Sequence, residues 1–281
     1  MTSFLRTVHS AQSRCRPSEI AHATLFRHLA SARTSPPRSR SSKMSAAAES
    51  KPVTLYTAGT PNGWKPTVVL EELSIPYNVH AIAISKNEQK EESFLKINPN
   101  GRIPAMVDHE KGDLAIFESG AIMMYLCDRF DAEGVLLPKD LAQRYEVIEW
   151  LMFQMGGVGP MQGQANHFSH FAPEKIEYGQ QRYLNETKRL YGVMEKQLEG
   201  KDWLAAGKYT LADIANYCWV AWHFFLDIDI KEFPNLKGWL ERIHSRDAVL
   251  RAMDVPEPWA YKPLRNDPDG QKALFKERMS K

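Results

Sequence analysis

The sequence predicts two domains in series, an α/β domain followed by an all-helical one. Three observations carry this. Short alternating apolar runs and 3.6-period runs intermix between Val53 and Phe130; no alternating run persists beyond Leu141; and Asp131–Asp140 separates the two regions. A chain of 281 residues, 43% hydrophobic and 25% charged, is long enough to bury a core in each.

Val53–Thr57 reads as a strand and runs into the turn Gly59-Thr60-Pro61-Asn62-Gly63. Trp64–Ser74 places Val68, Val69 and Leu73 at helical spacing, and Tyr77–Ile84 alternates as a strand. Glu91–Ile97 is a short helix stopped by Asn98-Pro99-Asn100-Gly101. Pro104–Asp108 and Leu114–Phe117 are short strands able to pair across His109–Asp113. Ser119–Phe130 is helical again, with Ile122, Tyr125 and Leu126 on one face. The order βαβ-α-ββα makes one mixed sheet with helices on its faces, a thioredoxin-like domain over residues 51–131.

The helical domain spans residues 141–255, with apolar faces in Leu141–Met155, Lys175–Leu198, Leu211–Phe225 and Leu236–His244. Thr210 stands as an N-cap with Asp213 three residues later, and Tyr209 and Ile214 occupy the positions of a hydrophobic staple. Residues 256–281 turn charged and are expected to lie on the surface.

Residues 1–50 differ from the rest, with eleven Ser and seven Arg against only Glu19 and Glu49. That composition matches an organellar transit peptide, which places the protein in mitochondria. A disordered tail without an address, or a true start at Met44 and a cytoplasmic home, are the competing readings. Residues 51–281 hold 28 Lys and Arg against 32 Asp and Glu, so no clustered positive charge points to nucleic acid. The longest strongly apolar run, Tyr217 to Leu226, is half the length a membrane span needs. Cys15, Cys127 and Cys218 are odd in number and widely spaced, which argues against a disulfide scaffold or a zinc ribbon. Cys127 and Cys218 read as small buried hydrophobes.

Three segments of the first domain carry chemistry. Thr60-Pro61-Asn62-Gly63 opens a helix, whose free N–H groups and partial positive charge stabilise an anion such as a thiolate. Thr60 and Asn62 add a hydroxyl and an amide able to donate to sulfur. Arg102-Ile103-Pro104-Ala105 places a proline at a strand start; a cis bond there turns the Ile103 main chain outward to pair with a peptide-like ligand. Phe117-Glu118-Ser119-Gly120 opens another helix. Capping alone accounts for Ser119, and the same geometry lets Ser119 hold a carboxylate while Glu118 holds an ammonium, the two charges of an α-amino acid.

Together with Asn98-Pro99-Asn100, Ile103-Pro104-Ala105-Met106-Val107-Asp108-His109 and Gly156-Gly157-Val158-Gly159-Pro160-Met161-Gln162-Gly163-Gln164, these strings resemble the glutathione transferase superfamily. The similarity is to the bacterial Nu-class disulfide-bond oxidoreductases and the fungal proteins related to the yeast nitrogen regulator. The resemblance implies that Thr60 and Asn62 face the glutathione sulfur. It also implies that Gln89 and Ile103, before a cis Pro104, hold the glycyl and cysteinyl parts, that Glu118 and Ser119 bind the γ-glutamyl end, and that Arg182 reaches in from the helical domain. Trp64, Phe153, His167, Phe168 and Trp222 are candidates for the second-substrate pocket, with core packing as the competing reading. Tyr56 lies too far from the Thr60–Asn62 turn to be the catalytic tyrosine, and His167, His170 and Asn166 lack the partners of a metal site.

Asn62 does not titrate and no Cys occupies the turn, so the reactive sulfur belongs to glutathione itself. The expected partners are therefore glutathione with a small disulfide or electrophile, without a metal. The expected activity is glutathione-dependent disulfide reduction or conjugation, and the expected assembly a homodimer. A regulatory glutathione-binding protein on the same fold is the alternative; the extension contains Gln12 and no Asn, which removes the prion-type argument for it.

Overall fold

Four short strands pair in the order β2-β1-β3-β4. Strands β1 (Val53–Thr57) and β2 (Tyr77–Ala81) run parallel, so the chain between them must cross over, and helix α1 (Pro61–Glu72) makes that crossing. Strand β3 (Ala105–Asp108) lies antiparallel to β1, with Leu55 opposite Met106, and β4 (Leu114–Phe117) closes a hairpin with β3. Alternation along β1 buries Val53, Leu55 and Thr57 completely. Helices α2 (Glu92–Leu95) and α3 (Ser119–Phe130) complete the βαβ-α-ββα order expected for a thioredoxin-like domain. The computed structural model describes residues 51–264, 267, 269–271, 273 and 274; the N-terminal extension, with Cys15, and residues 275–281 lie outside the described residues.

The ten residues Asp131–Asp140 are held rather than loose. The buried carboxylate of Asp131 accepts the N–H groups of Val135 (2.7 Å), Leu136 (2.8 Å) and Leu137 (3.2 Å), which fixes the chain leaving α3. Then follow α4 (Leu141–Phe153), α5 (Gly159–Asn166), α6 (Glu177–Gln197), α7 (Leu211–Val220), α8 (Pro234–His244) and α9 (Asp247–Ala252). The helix expected over Leu141–Met155 breaks its regular pattern at Gln154. One widened turn, Gln154–Val158, carries the chain through Gly156 and Gly157 into α5, so the glycine-rich stretch is helical too. The Leu211–Phe225 expectation also ran long: α7 stops at Val220 and the chain tightens into a separate turn over His223–Leu226. At the start of α7 the capping box is present. Asp213 Oδ2 accepts from the Thr210 N–H at 2.9 Å, and its Oδ1 takes the indole N–H of Trp239 at 2.8 Å.

Both regions share one core. Helix α1 packs against α3, α7 and α9. At its far end Glu72 takes Arg246 through two bonds, at 2.6 and 2.8 Å, while the Arg246 guanidinium lies 4.1 Å from the centre of the Tyr209 ring. The segment after Pro256 corrects the expectation of a surface tail, because Trp259 and Tyr261 are only 7% and 5% exposed. Trp259 packs edge-on to Trp64 at 5.1 Å and against Trp222 at 5.8 Å, so the apolar area of two large rings outweighs the polar composition around them. Trp259→Ala should accordingly cost about 3 kcal/mol in urea denaturation. A loss below about 0.5 kcal/mol would mean that this segment rests on the surface after all.

Candidate functional site

The site begins where β1 hands over to α1. Thr60 is extended (φ −131°, ψ 161°) and caps the helix, its Oγ1 accepting the Gly63 N–H at 3.1 Å. The Thr60 hydroxyl proton therefore remains to be donated elsewhere. Pro61 occupies the first helical position, where a missing N–H costs nothing. Gly63 is required by contact: a Cβ there would stand 2.1 Å from the Ala58 carbonyl oxygen and 2.5 Å from Thr57 Oγ1.

Asn62 is oriented from the other domain. The indole N–H of Trp219, on α7, donates to Asn62 Oδ1 at 3.0 Å. An indole nitrogen can only donate, so it must face the amide oxygen, and the Asn62 NH2 group is left for another acceptor. Asn62 and Thr60 line a cleft of about 370 Å³, whose remaining walls are Ile84, Gln89 and Lys90 before α2, Gly101–Ile103 before β3, and Trp219. Gln89 Oε1 is buried without a hydrogen-bond partner among the described residues, an acceptor awaiting an N–H. The Ile103–Pro104 bond is cis. Lys90 and Arg102 make one wall cationic, and no cysteine lines the cleft.

The Glu118–Ser119 corner differs from its sequence reading by one residue. Glu118, at φ 70°, takes the N-cap position with no side-chain cap, and Ser119 is the first residue of α3. Ser119 is thus not the cap; the residue is 5% exposed, and Lys65 Nζ donates to its Oγ at 3.3 Å. Lys65 follows Asn62 by three residues and is 1% exposed. Burial pushes its ammonium down to about 7, against the opposing pull of Cys218 and Glu118.

Several sequence candidates lie elsewhere. Trp64 is 1% exposed and does not line the cleft; it packs on Trp222 at 5.3 Å. The reason is helical geometry, since two residues beyond Asn62 is roughly 200° around the helix. Phe153 packs on Trp150 at 5.1 Å, Phe168 stacks on Tyr183 at 5.5 Å, and His167 meets Phe168 edge-on, so none of the three borders the Thr60–Asn62 cleft. Arg182, on α6, lines a separate cavity of about 600 Å³ with Met161, Tyr178 and Gln181. Tyr56 packs on His80 with the rings tilted, centroids 4.9 Å apart, and borders a third cavity. His170 Nε2 contacts the Phe225 carbonyl at 2.5 Å, and the described residues contain no group of three or more His, Cys, Asp or Glu side chains suited to a metal.

Sequence reasoning missed Trp219, Lys90 and Lys65, and it quoted Arg102 within its segment without giving the side chain a role. For Lys65 a signal existed, a lone charge inside the run Trp64–Leu70, every residue of which is buried. Trp219 carried none, standing 157 positions from Asn62.

Comparison with known proteins agrees with this geometry. Residues 51–128 match the family description "Glutathione S-transferase, N-terminal domain" and residues 158–247 its C-terminal counterpart. The chain is 43% identical over 205 residues to the disulfide-bond oxidoreductase YfcG of Escherichia coli, covering 72% of this chain and 94% of that protein. Among solved structures, it is similar to a glutathione transferase homolog from Lodderomyces elongisporus with two GSH per subunit (42% identity, TM-score 0.71, 74% of this chain and 100% of that one). It is likewise similar to Ure2p in complex with glutathione (36% identity, TM-score 0.70, 72% and 94%).

Lys65 sets a pH dependence on stability. The unfolded chain keeps the Lys65 proton up to near 10.5, whereas the folded, ligand-free protein releases it near 7. Between those values the unfolded state binds more protons, so this contribution to stability is complete above the unfolded value and is lost as pH falls through the folded one. Wild type should gain about 2 kcal/mol relative to Lys65→Met between pH 7 and pH 9 in chemical denaturation. Equal changes in the two proteins would show that Lys65 is not held in a shifted state.

Proposed function

Because this chain belongs to the glutathione S-transferase family, we propose that it is an enzyme that binds glutathione in the cleft at the head of α1 and uses the glutathione thiolate to reduce disulfides. The observation that carries the reading is the Asn62 amide, its oxygen engaged by Trp219 and its NH2 left for the cleft, beside the Thr60 hydroxyl and the start of α1. These neutral donors line one cleft, and no cysteine stands among its lining residues. Such a cluster lowers the pKa of a bound thiol, and the thiol proton leaves to water because Asn62 cannot take it.

The rest of the cleft suits the remainder of the tripeptide. Lys90 and Arg102 offer positive charge to the glycyl carboxylate, Gln89 Oε1 offers an acceptor to a main-chain N–H, and the Ile103 main chain pairs with the cysteinyl part. Glu118 and Ser119, at the head of α3 and beyond the residues that line the cleft, take the γ-glutamyl end. The thiolate then attacks one sulfur of a disulfide RSSR, forming the mixed disulfide GSSR and expelling RS⁻. A second glutathione thiolate attacks the glutathione sulfur of GSSR, giving GSSG and a second RS⁻, with two protons taken up to yield two RSH. Similarity to a relative solved with two GSH per subunit supports room for both reactants. Conjugation uses the same thiolate on a carbon electrophile, expelling its leaving group.

A homodimer fits the exposed apolar side chains on β4 and α4, namely Leu114, Phe117, Leu141, Tyr145 and Met152. Arg182 would then serve a cleft completed by both subunits. Residence is proposed as mitochondrial or cytoplasmic on the composition of residues 1–50. The regulatory alternative draws on the similarity to Ure2p.

Assays on Met44–Lys281 separate the readings. Asn62→Ala should lower glutathione-dependent reduction of a small disulfide at least tenfold, about 1.4 kcal/mol of barrier. Trp219→Phe, which removes only the N–H that orients Asn62, should fall between the two. Glutathione binding without either disulfide reduction or conjugation would instead support the regulatory reading.

A further inference from the structure

Lys65 is left over by the mechanism above. Its side chain is 1% exposed, and its hydrogen-bond partners are Ser119 Oγ at 3.3 Å and the Met155 thioether sulfur at 3.8 Å. No carboxylate of the described residues lies within ion-pairing distance of Nζ. A buried ammonium without a counter-charge is among the least favourable groups a core can hold. A methionine or leucine of similar length would fill the same volume without that penalty.

The surroundings show where a counter-charge would come from. Ser119 opens α3, so the free N–H groups and positive end of that helix face the same point. The Ser119 hydroxyl has only the Met155 sulfur, at 3.7 Å, as an acceptor, and a thioether is a weak one. Since Lys65 donates to Ser119 Oγ from the inside, the hydroxyl proton is free to turn outward to a stronger acceptor. Glu118, exposed and next in the chain, supplies the opposite charge on the outer side.

We propose that Lys65 is a positioning residue which, through Ser119, forms the inner half of a seat for the α-carboxylate of the ligand's γ-glutamyl end, with Glu118 as the outer half for its α-ammonium. This rests on the glutathione reading above and adds the buried charge to it. The arriving carboxylate supplies the ion partner that the fold withholds, so Lys65 is charged with ligand bound and more readily neutral without it. The titratable groups facing Lys65 are Glu118 at the head of α3, which favours its charged form, and Cys218 on α7, whose thiol burial pushes up to about 12 and leaves neutral. Because Lys65 and Asn62 are three residues apart on α1, the seat is rigidly linked to the thiol site.

The test uses calorimetric binding of two ligands to the full chain: S-methylglutathione, whose sulfur does not titrate, and the same molecule lacking only the γ-glutamyl α-carboxylate. Wild type should prefer the complete ligand at least tenfold at pH 6.5, and the preference should shrink at least threefold at pH 8.5, where free Lys65 has lost its proton. Lys65→Met should fold with at least wild-type stability near pH 7, bind the two ligands within twofold of each other, and show no change with pH. A variant that keeps a tenfold preference, or a wild-type preference that is flat with pH, would overturn the proposal. Should Lys65→Met fail to fold, the wild-type pH series decides alone. Binding of neither ligand by the wild type would overturn the glutathione reading, and this inference with it.

Discussion

Helix α1 is enclosed by α3 on one side and by α7 and α9 on the others, with Gly63 pressed against the Ala58 carbonyl at its start. Eight successive residues, Gly63 to Leu70, are buried. An amphipathic surface helix would bury a single stripe; this one has no solvent face along that stretch, so every neighbour must accommodate it. Its polar members are handled one by one. The Thr67 hydroxyl donates to the Gly63 carbonyl at 2.9 Å, and Lys65 reaches Ser119. The position of the first domain relative to the helices, and the direction in which α1 aims its N-terminus, both follow from this burial.

Two helix starts therefore lie in fixed relation, that of α1 at Thr60 and that of α3 at Ser119, with Lys65 bridging them inside the protein. Neutral donors and helix ends surround the first, and a buried cation backs the second. At the other end of α1 the balance is reversed. Glu71 and Glu72 sit where the helix dipole disfavours acids, and Arg251 at 2.8 Å and Arg246 at 2.6 Å compensate them. These pairs also join the first domain to α9 and the segment before it, so one helix opens on the cleft at its head and carries the domain interface at its tail.

A cleft without its own cysteine or general base asks the ligand to bring the reactive atom. On the function proposed above, what the protein supplies is a place where a thiolate is more stable than in water, and an orientation for it. Trp219 is central to that role, since a side chain amide is useful as a donor only if its oxygen is occupied elsewhere. Disulfide reduction and conjugation share this requirement and diverge only in the second substrate.

The strands, the helix starting at Ser119 and the capping box at Thr210 and Asp213 were legible in the sequence because each is set by neighbours within a few residues: alternation, helical periodicity, turn chemistry. The Thr60–Asn62 turn was legible for the same reason, and the Glu118–Ser119 corner to within one residue. Boundaries depending on distant packing were not, which is why the helix from Leu141 ran on through its glycines and why the segment bearing Trp259 and Tyr261 turned inward. Trp64 and Lys65 mark the limit most clearly. From sequence one was a candidate for a pocket wall or for core packing and the other an unremarked lysine, and only the tertiary structure decided for the core at Trp64 and set Lys65 beneath Ser119. Local sequence determined where donors and helix ends fall along the chain; the packing of α1 between two domains decided which of them meet, because burial and charge compensation are summed over neighbours far apart in sequence.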